Sequence, residues 1–135
     1  MTIIQTDNQV REILLTIKTI AVVGAKPDGG PAERIPAYLK KHGYHVIPVN
    51  PKLLDVAGIP SVATLDDAGP VDAVVFFRRS EAIPGHRAEM LRAAPQVGWM
   101  QEGISNAEEA AIWDEHGIDV VQDRCIMVEH RRLIL

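Results

Sequence analysis

Residues 19–52 constrain the fold most, because two short apolar runs flank a glycine-rich turn and a helix-like stretch. The first run, residues 20–23, ends at Gly24, and the second, residues 46–49, ends at Asn50-Pro51. Strands of a parallel sheet are buried on both faces and need a long crossover between them, usually a helix. The segment therefore predicts a β-α-β unit within an open α/β sheet.

Three more apolar runs, residues 71–77, 98–100 and 118–121, predict further strands. Helix-like segments separate them, and each parallel connection crosses over in the right-handed sense. The pattern predicts one Rossmann-like, doubly wound α/β domain over residues 1–135, with about five parallel strands and helices on both faces. The predicted strand order is 3-2-1-4-5.

Helix signals lie before and between the strands. Thr6 and Gln9 have capping-box spacing ahead of an amphipathic run, residues 10–17. Pro31 and Gly43 bound a second helix, and Pro36 inside it predicts a late start or a kink. The remaining predictions are Ser80 as N-cap of a helix reaching Ala94, a capping box over residues 105–108 with a stop at Gly117, and a final helix over residues 124–133. Residues 53–70 are expected to be irregular.

Composition excludes several functional classes. The formal net charge is -4 over 135 residues, and no Lys/Arg run indicates a nucleic-acid surface. Cys125 is the single cysteine, so no internal disulfide forms, and a small buried apolar role is the commonest one for such a residue. The lack of a signal peptide and of a long apolar span predicts a cytoplasmic protein without membrane contact. No catalytic or metal-ligand spacing is recognised, so neither kind of residue is predicted.

The candidate site follows from the turn after the first strand. Ligands of doubly wound sheets bind beyond the carboxyl ends of the strands, where Gly24 and Asn50 would face one crevice. Backbone amides of a glycine-rich turn and the N-terminus of the next helix suit a phosphate. However, Lys26 stands where the NAD fingerprint G-x-G-x-x-G needs its second glycine. The ordinary NAD site is therefore excluded.

The end of the second strand narrows the ligand class. An NAD site would place an acidic residue there, whereas this chain has Asn50-Pro51-Lys52. A lysine suits a phosphorylated ribose, and both NADP and coenzyme A (CoA) carry one. Lys26, Arg34 and Lys52 could each be a solvated surface charge, but all three are predicted near the same crevice. The predicted proximity of these three cations favours a site for an anionic ligand, and it does not distinguish NADP from CoA.

Five motifs occur in order along the chain: Gly24-Ala25-Lys26, Val49-Asn50-Pro51, Phe77-Arg78-Arg79-Ser80-Glu81, Trp99-Met100-Gln101-Glu102-Gly103, and Asp123-Arg124-Cys125 to His130-Arg131-Arg132. With these motifs the chain resembles, over nearly its full length, the small stand-alone CoA-binding-domain proteins of prokaryotes. That family is similar to the N-terminal domain of the succinyl-CoA synthetase alpha subunit. The synthetase also uses a phosphorylated histidine in a second domain and a partner subunit, so the resemblance implies ligand binding without that catalysis.

The resemblance implies contacts in three regions: residues 26–29, Lys52, and residues 100–102 after the fourth strand. Phe77 and Arg78 would flank the adenine and the phosphates. The complete predicted site is Gly24, Ala25, Lys26, Pro27, Asp28, Gly29, Arg34, Asn50, Pro51, Lys52, Phe77, Arg78, Met100, Gln101 and Glu102. The favoured function is non-catalytic binding of CoA or an acyl-CoA. The alternatives are an NADP-dependent reductase and an accessory subunit of an acyl-CoA synthetase, and the sequence leaves a homo-oligomer or a protein partner open.

Overall fold

Five parallel strands form the central sheet of the computed structural model, which describes residues 3–135. The strands are β1 (Thr19–Val23), β2 (His45–Val49), β5 (Ala73–Phe76), β6 (Val97–Met100) and β7 (Asp119–Val121). A small antiparallel hairpin, β3 (Asp55–Val56) with β4 (Ile59–Pro60), lies in the segment predicted to be irregular. Strands of two residues are too short to show a sequence period, so this hairpin was missed.

Helices cover both faces of the sheet. The helices α1 (Asp7–Thr16), α2 (Pro31–Lys41) and α5 (Ile126–Leu133) pack against one face, and α3 (Arg87–Ala93) and α4 (Ala107–Glu115) pack against the other. Each face has its own apolar cluster. The predicted α/β class, with five parallel strands and helices on both faces, is confirmed. Among the described residues, no helix is long and apolar enough to cross a membrane.

The predicted strand order is wrong. The observed order is β2-β1-β5-β6-β7, so the second strand lies at the edge and the winding reverses between β1 and β5. Pro48 explains the edge position, because a proline in a strand lacks an amide and is tolerated where no neighbouring strand needs it. On its outer side, β2 forms an isolated bridge with Val62, whose amide donates to the Pro48 carbonyl at 3.0 Å.

One predicted helix start is confirmed and two are corrected. The confirmed start is the Thr6–Gln9 capping box before α1. Residues 80–86, by contrast, form a 3₁₀ helix before α3, and the Ser80 hydroxyl accepts from the Ser105 amide instead of capping its own helix. Helix α4 is capped by Asn106, whose side chain accepts from the Glu109 amide at 3.0 Å. The capping box therefore does not begin at Ser105.

Helix α2 begins at Pro31 and continues through Pro36. Proline has no amide to donate to the carbonyl four residues earlier, which here belongs to Ala32. That carbonyl accepts instead from the amide of Lys26, at 3.2 Å. The prediction of a late start is wrong, because the acceptor freed by Pro36 is satisfied by the turn that precedes the helix.

A Tyr–His cluster joins α2 to α5. The hydroxyl of Tyr38 lies 2.7 Å from Nδ1 of the buried His130, and the rings of Tyr38 and His42 are 4.2 Å apart. The guanidinium of Arg131 lies 5.1 Å from the centre of the Tyr38 ring. Burial, followed by the proximity of His42, lowers the pKa of His130 from its ordinary value.

We expect the free energy of unfolding to fall as the pH is lowered through about 6.5. The folded pKa of His130 is below the unfolded one, so its neutral form contributes fully above the unfolded pKa, and that contribution is lost as the pH falls. Urea denaturation of the wild type and of His130→Gln at several pH values measures this effect. The His116→Gln variant, which changes an exposed histidine, is the control for the substitution itself. An identical pH dependence in the His130→Gln variant would contradict the assignment.

Candidate functional site

A cleft of about 690 Å³ opens at the carboxyl ends of β1, β2 and β5. It lies beside the reversal in winding between β1 and β5, where doubly wound sheets bind ligands. Its lining consists of Gly24, Lys26, Asn50, Lys52, Phe77, Arg78, Arg79, Glu81 and Ala82. Six of these nine residues belong to the site predicted from sequence.

Gly24 brings two strand ends together at the floor of the cleft. It has a φ of 89°, and a Cβ placed on it would lie 2.5 Å from the carbonyl oxygen of Phe77. Its amide donates to the Val49 carbonyl at 3.2 Å, and the Phe77 amide donates to Val23 at 2.8 Å. Only a residue without a side chain allows the ends of β1 and β5 to approach this closely.

Asn50 fixes the loop after β2. Its side-chain amide donates to the Ala25 carbonyl at 2.9 Å, and its side-chain oxygen accepts from the Lys52 amide at 2.9 Å. An aspartate would lack the donor that the Ala25 carbonyl uses. Asn50 thus joins the turn after β1 to the loop that carries Lys52.

The charge of the cleft is predominantly positive. Lys26, Lys52, Arg78 and Arg79 are exposed along its lining, and Glu81 is the one acidic residue among them. Glu81 lies 3.9 Å from Arg79, and both side chains are largely in solvent, so their attraction is weak. The arrangement leaves a strong surplus of positive charge, which suits a ligand with several negative charges.

A second hollow of about 410 Å³ adjoins the cleft and shares Gly24, Asn50, Lys52 and Arg78 with it. Its apolar lining includes Leu65, and Nδ1 of His86 lies 3.0 Å from a Glu89 oxygen at its side. The two hollows together offer a charged region next to an apolar one. That combination suits a phosphorylated ligand with a flat, weakly polar base.

The glycine-rich turn is held by acidic side chains of the chain itself. The Gly29 amide donates to a Glu33 carboxylate oxygen at 2.8 Å, and the Gly30 amide donates to the Asp28 carboxylate at 2.8 Å. Pro27, Asp28 and Gly29 are exposed, whereas Ala25 is buried. An anion that approaches the Gly29 and Gly30 amides would compete with these two carboxylates, so the exposed cations are the better-placed partners for a phosphate.

The segment after β6 does not line the cleft. Met100 is fully buried, and Gln101 is 4% exposed with its side-chain oxygen accepting from the Ile126 amide at 3.0 Å. Glu102 is exposed, and the following amide, of Gly103, donates to the Asp123 carboxylate at 2.6 Å. The predicted contacts over residues 100–102 are therefore not brought together with Lys26 and Lys52 by the fold.

Two further differences concern arginines. Arg34 lies in a separate groove between α2 and α5. Arg79 lines the cleft but was not among the predicted contacts. The signal that could have indicated Arg79 is its position directly after Arg78 at the end of a predicted strand, where either arginine can reach the same edge of the sheet.

Comparisons with known proteins show the family of the chain. Residues 18–131 match the family model described as a CoA binding domain. The chain is 38% identical to the uncharacterized protein YneT of Bacillus subtilis over 125 residues, covering 90% of this chain and 92% of the relative.

A solved protein of Thermus thermophilus, described as cell-free ID.343, is 42% identical with a TM-score of 0.90, covering 96% of this chain and all of the other. A hypothetical protein from Pyrococcus horikoshii is 35% identical with a TM-score of 0.90, covering 97% and 94% of the two chains. From its fold, its cleft and these matches, the chain belongs to the family of CoA binding domains.

Proposed function

We propose that this protein binds CoA or an acyl-CoA in the cleft beside β1 and β5, without catalysis of its own. The observation that carries the proposal is the convergence of four exposed cations, from three separate loops, on one cleft at the reversal in strand winding. A pyrophosphate and a 3′-phosphate together supply several negative charges. Charge-assisted hydrogen bonds from Lys and Arg are the natural partners of such groups.

The adjoining apolar hollow gives the adenine a place next to the phosphates. Arg78 lines both hollows, and a guanidinium can stack on a base and pair with a phosphate at the same time. Lys52 also lines both hollows, so its ammonium is a candidate partner for the phosphate on the ribose, which joins the base to the pyrophosphate. The lining of the main cleft has no Ser, Cys or His side chain that could act as a nucleophile, and we assign binding alone to it.

Titration calorimetry with CoA, 3′-dephospho-CoA and NADP tests the proposal. Tight CoA binding that weakens when the 3′-phosphate is absent supports it. Binding of NADP without binding of CoA would favour the reductase alternative and overturn it. Incubation with acetyl-CoA, followed by assay of free thiol, tests the absence of catalysis, since release of CoA above the uncatalysed rate would contradict it.

We expect Lys52→Ala to weaken CoA binding by about 1–3 kcal/mol, the range for a charge-assisted contact. The same variant should bind 3′-dephospho-CoA almost as well as the wild type does, because the phosphate that Lys52 contacts is absent. Calorimetry measures both affinities. Lys18→Ala is the matched control, since Lys18 is exposed just before β1, at the amino end of the strand and away from the cleft. An unchanged CoA affinity in Lys52→Ala would place the Lys52 ammonium in solvent.

A further inference from the structure

A groove of about 450 Å³ lies between α2 and α5, away from the candidate CoA site. Its lining contains Arg34, Lys41 and Arg131, with Ala37, Tyr38 and Met127 between them and no acidic residue. Within the described residues, none of the three cations forms an ion pair. The groove is thus a local concentration of positive charge on a chain whose net charge is -4.

The spacing of these residues defines the shape of a partner. Arg34, Ala37, Tyr38 and Lys41 lie at positions i, i+3, i+4 and i+7 of α2 and therefore share one face of the helix. The two cations at the ends are separated by about 10 Å along the helix axis. A partner surface with negative charges at that spacing and apolar groups between them would match the groove.

The outer face of α4 has this pattern with the opposite charge. Glu108, Ala111, Ile112 and Glu115 also lie at positions i, i+3, i+4 and i+7, and all but the partly buried Ile112 are exposed. Glu108 lies within electrostatic reach of Arg87, whose guanidinium is hydrogen-bonded to the buried Glu109. Both ends of this face are acidic, and its centre is apolar.

We propose that the outer face of α4 of one copy of this chain docks in the α2–α5 groove of a second copy. The two glutamates meet the cations of the groove, while Ala111 and Ile112 cover Ala37 and Met127. Amphipathic helices commonly dock in this way, with an apolar face in a groove and charges at its rim. Charge complementarity favours α4 over a second α2, because two copies of the groove would place cations against cations.

The two surfaces lie on opposite faces of the sheet, since α2 and α5 cover one and α4 covers the other. The contact is therefore head-to-tail, and each copy offers one groove and one acidic face. Such contacts generate rings or open chains in place of two-fold dimers. The association does not depend on the proposed CoA binding.

Analytical ultracentrifugation over a range of protein concentrations tests this inference. The average mass of the wild type should rise with concentration, and raising the salt from about 0.1 M to about 1 M should reduce it, because the Debye length shortens from ~10 Å to ~3 Å. The groove variant Arg34→Glu/Lys41→Glu should associate at least about tenfold more weakly, and so should the α4 variant Glu108→Lys/Glu115→Lys. Equimolar mixing of the two variants should restore association, because each then meets an oppositely charged surface.

Exposed residues outside both surfaces provide the controls. Lys40→Glu and Glu12→Lys change charge in the same two directions and should associate as the wild type does. A wild type that stays monomeric at about 1 mM overturns the proposal, because the contact would then have no measurable affinity. Loss of association in the groove variant alone, or no recovery on mixing, would also overturn it, since α4 would not be the occupant. Circular dichroism confirms that each variant is folded.

Discussion

The Gly24→Ala variant is expected to lose about 3 kcal/mol of unfolding free energy, or more, and to lose the candidate ligand site with it. Two costs add at this position. The backbone has a φ of 89°, which an alanine adopts only with strain, and the new Cβ would lie 2.5 Å from the Phe77 carbonyl oxygen. That oxygen belongs to the backbone, so relief requires the ends of β1 and β5 to separate.

Urea denaturation measures the loss of stability, and CoA titration under conditions where the variant is folded measures the loss of the site. Gly29→Ala is the matched control, because Gly29 also has a positive φ, of 71°, but no heavy atom lies within 4 Å of its added Cβ. We expect Gly29→Ala to lower the free energy of unfolding by about 1 kcal/mol, because backbone strain is its main effect. Equal losses in the two variants would show that close approach to Phe77 is not the cause.

Gly98→Ala is expected to destabilise the core by about 2–3 kcal/mol. Gly98 lies in β6, where glycine weakens a strand unless something occupies the space of its side chain. That space is filled by Trp113 of α4, with ring carbons 2.5 and 2.7 Å from the position of an added Cβ. Trp113 is fully buried and stacks on Phe76 with ring centres 5.5 Å apart, so its ring has little room to retreat.

Denaturation of Gly98→Ala and of Gly85→Ala distinguishes this packing effect from a general effect of alanine. Gly85 lies in the 3₁₀ helix before α3, and no heavy atom is within 4 Å of its added Cβ. Its replacement should change stability little. A neutral Gly98→Ala variant would indicate that α4 shifts outward at low cost, and its near-ultraviolet dichroism would then differ from that of the wild type.

The sequence predicted the sheet well because each strand contains a short apolar run, and those of β1 and β2 end directly at Gly24 and Asn50. The strand order was missed although Pro48 carried a usable signal: in the order 3-2-1-4-5, its strand would be central and would need the amide that proline lacks. The strands of the hairpin near Ile59 have two residues each, too few to show a sequence period, and Ser80 is bonded to Ser105, 25 residues away. Local patterns do not contain that information.

The structure brings together those predicted site residues whose position is determined by the end of a strand. Lys26, Lys52 and Arg78 lie in the loops that follow β1, β2 and β5, and all three line one cleft. Arg34 lies outside the cleft, in the groove between α2 and α5, because the direction of a side chain on α2 depends on how the helix packs against α5. The side chain of Gln101 turns inward to the Ile126 amide, a pairing 25 residues away that no local pattern indicates.

Pro36 stabilises the turn before α2 because it cannot donate the hydrogen bond that a helix would form at its position. By leaving the Ala32 carbonyl without its helical donor, it provides an acceptor for the Lys26 amide at 3.2 Å. A residue with an amide at position 36 would form a more regular helix and compete with Lys26 for that oxygen. The chain thus lacks one hydrogen bond within α2, and the freed carbonyl holds the backbone of Lys26, the first lysine of the cleft, without any ligand.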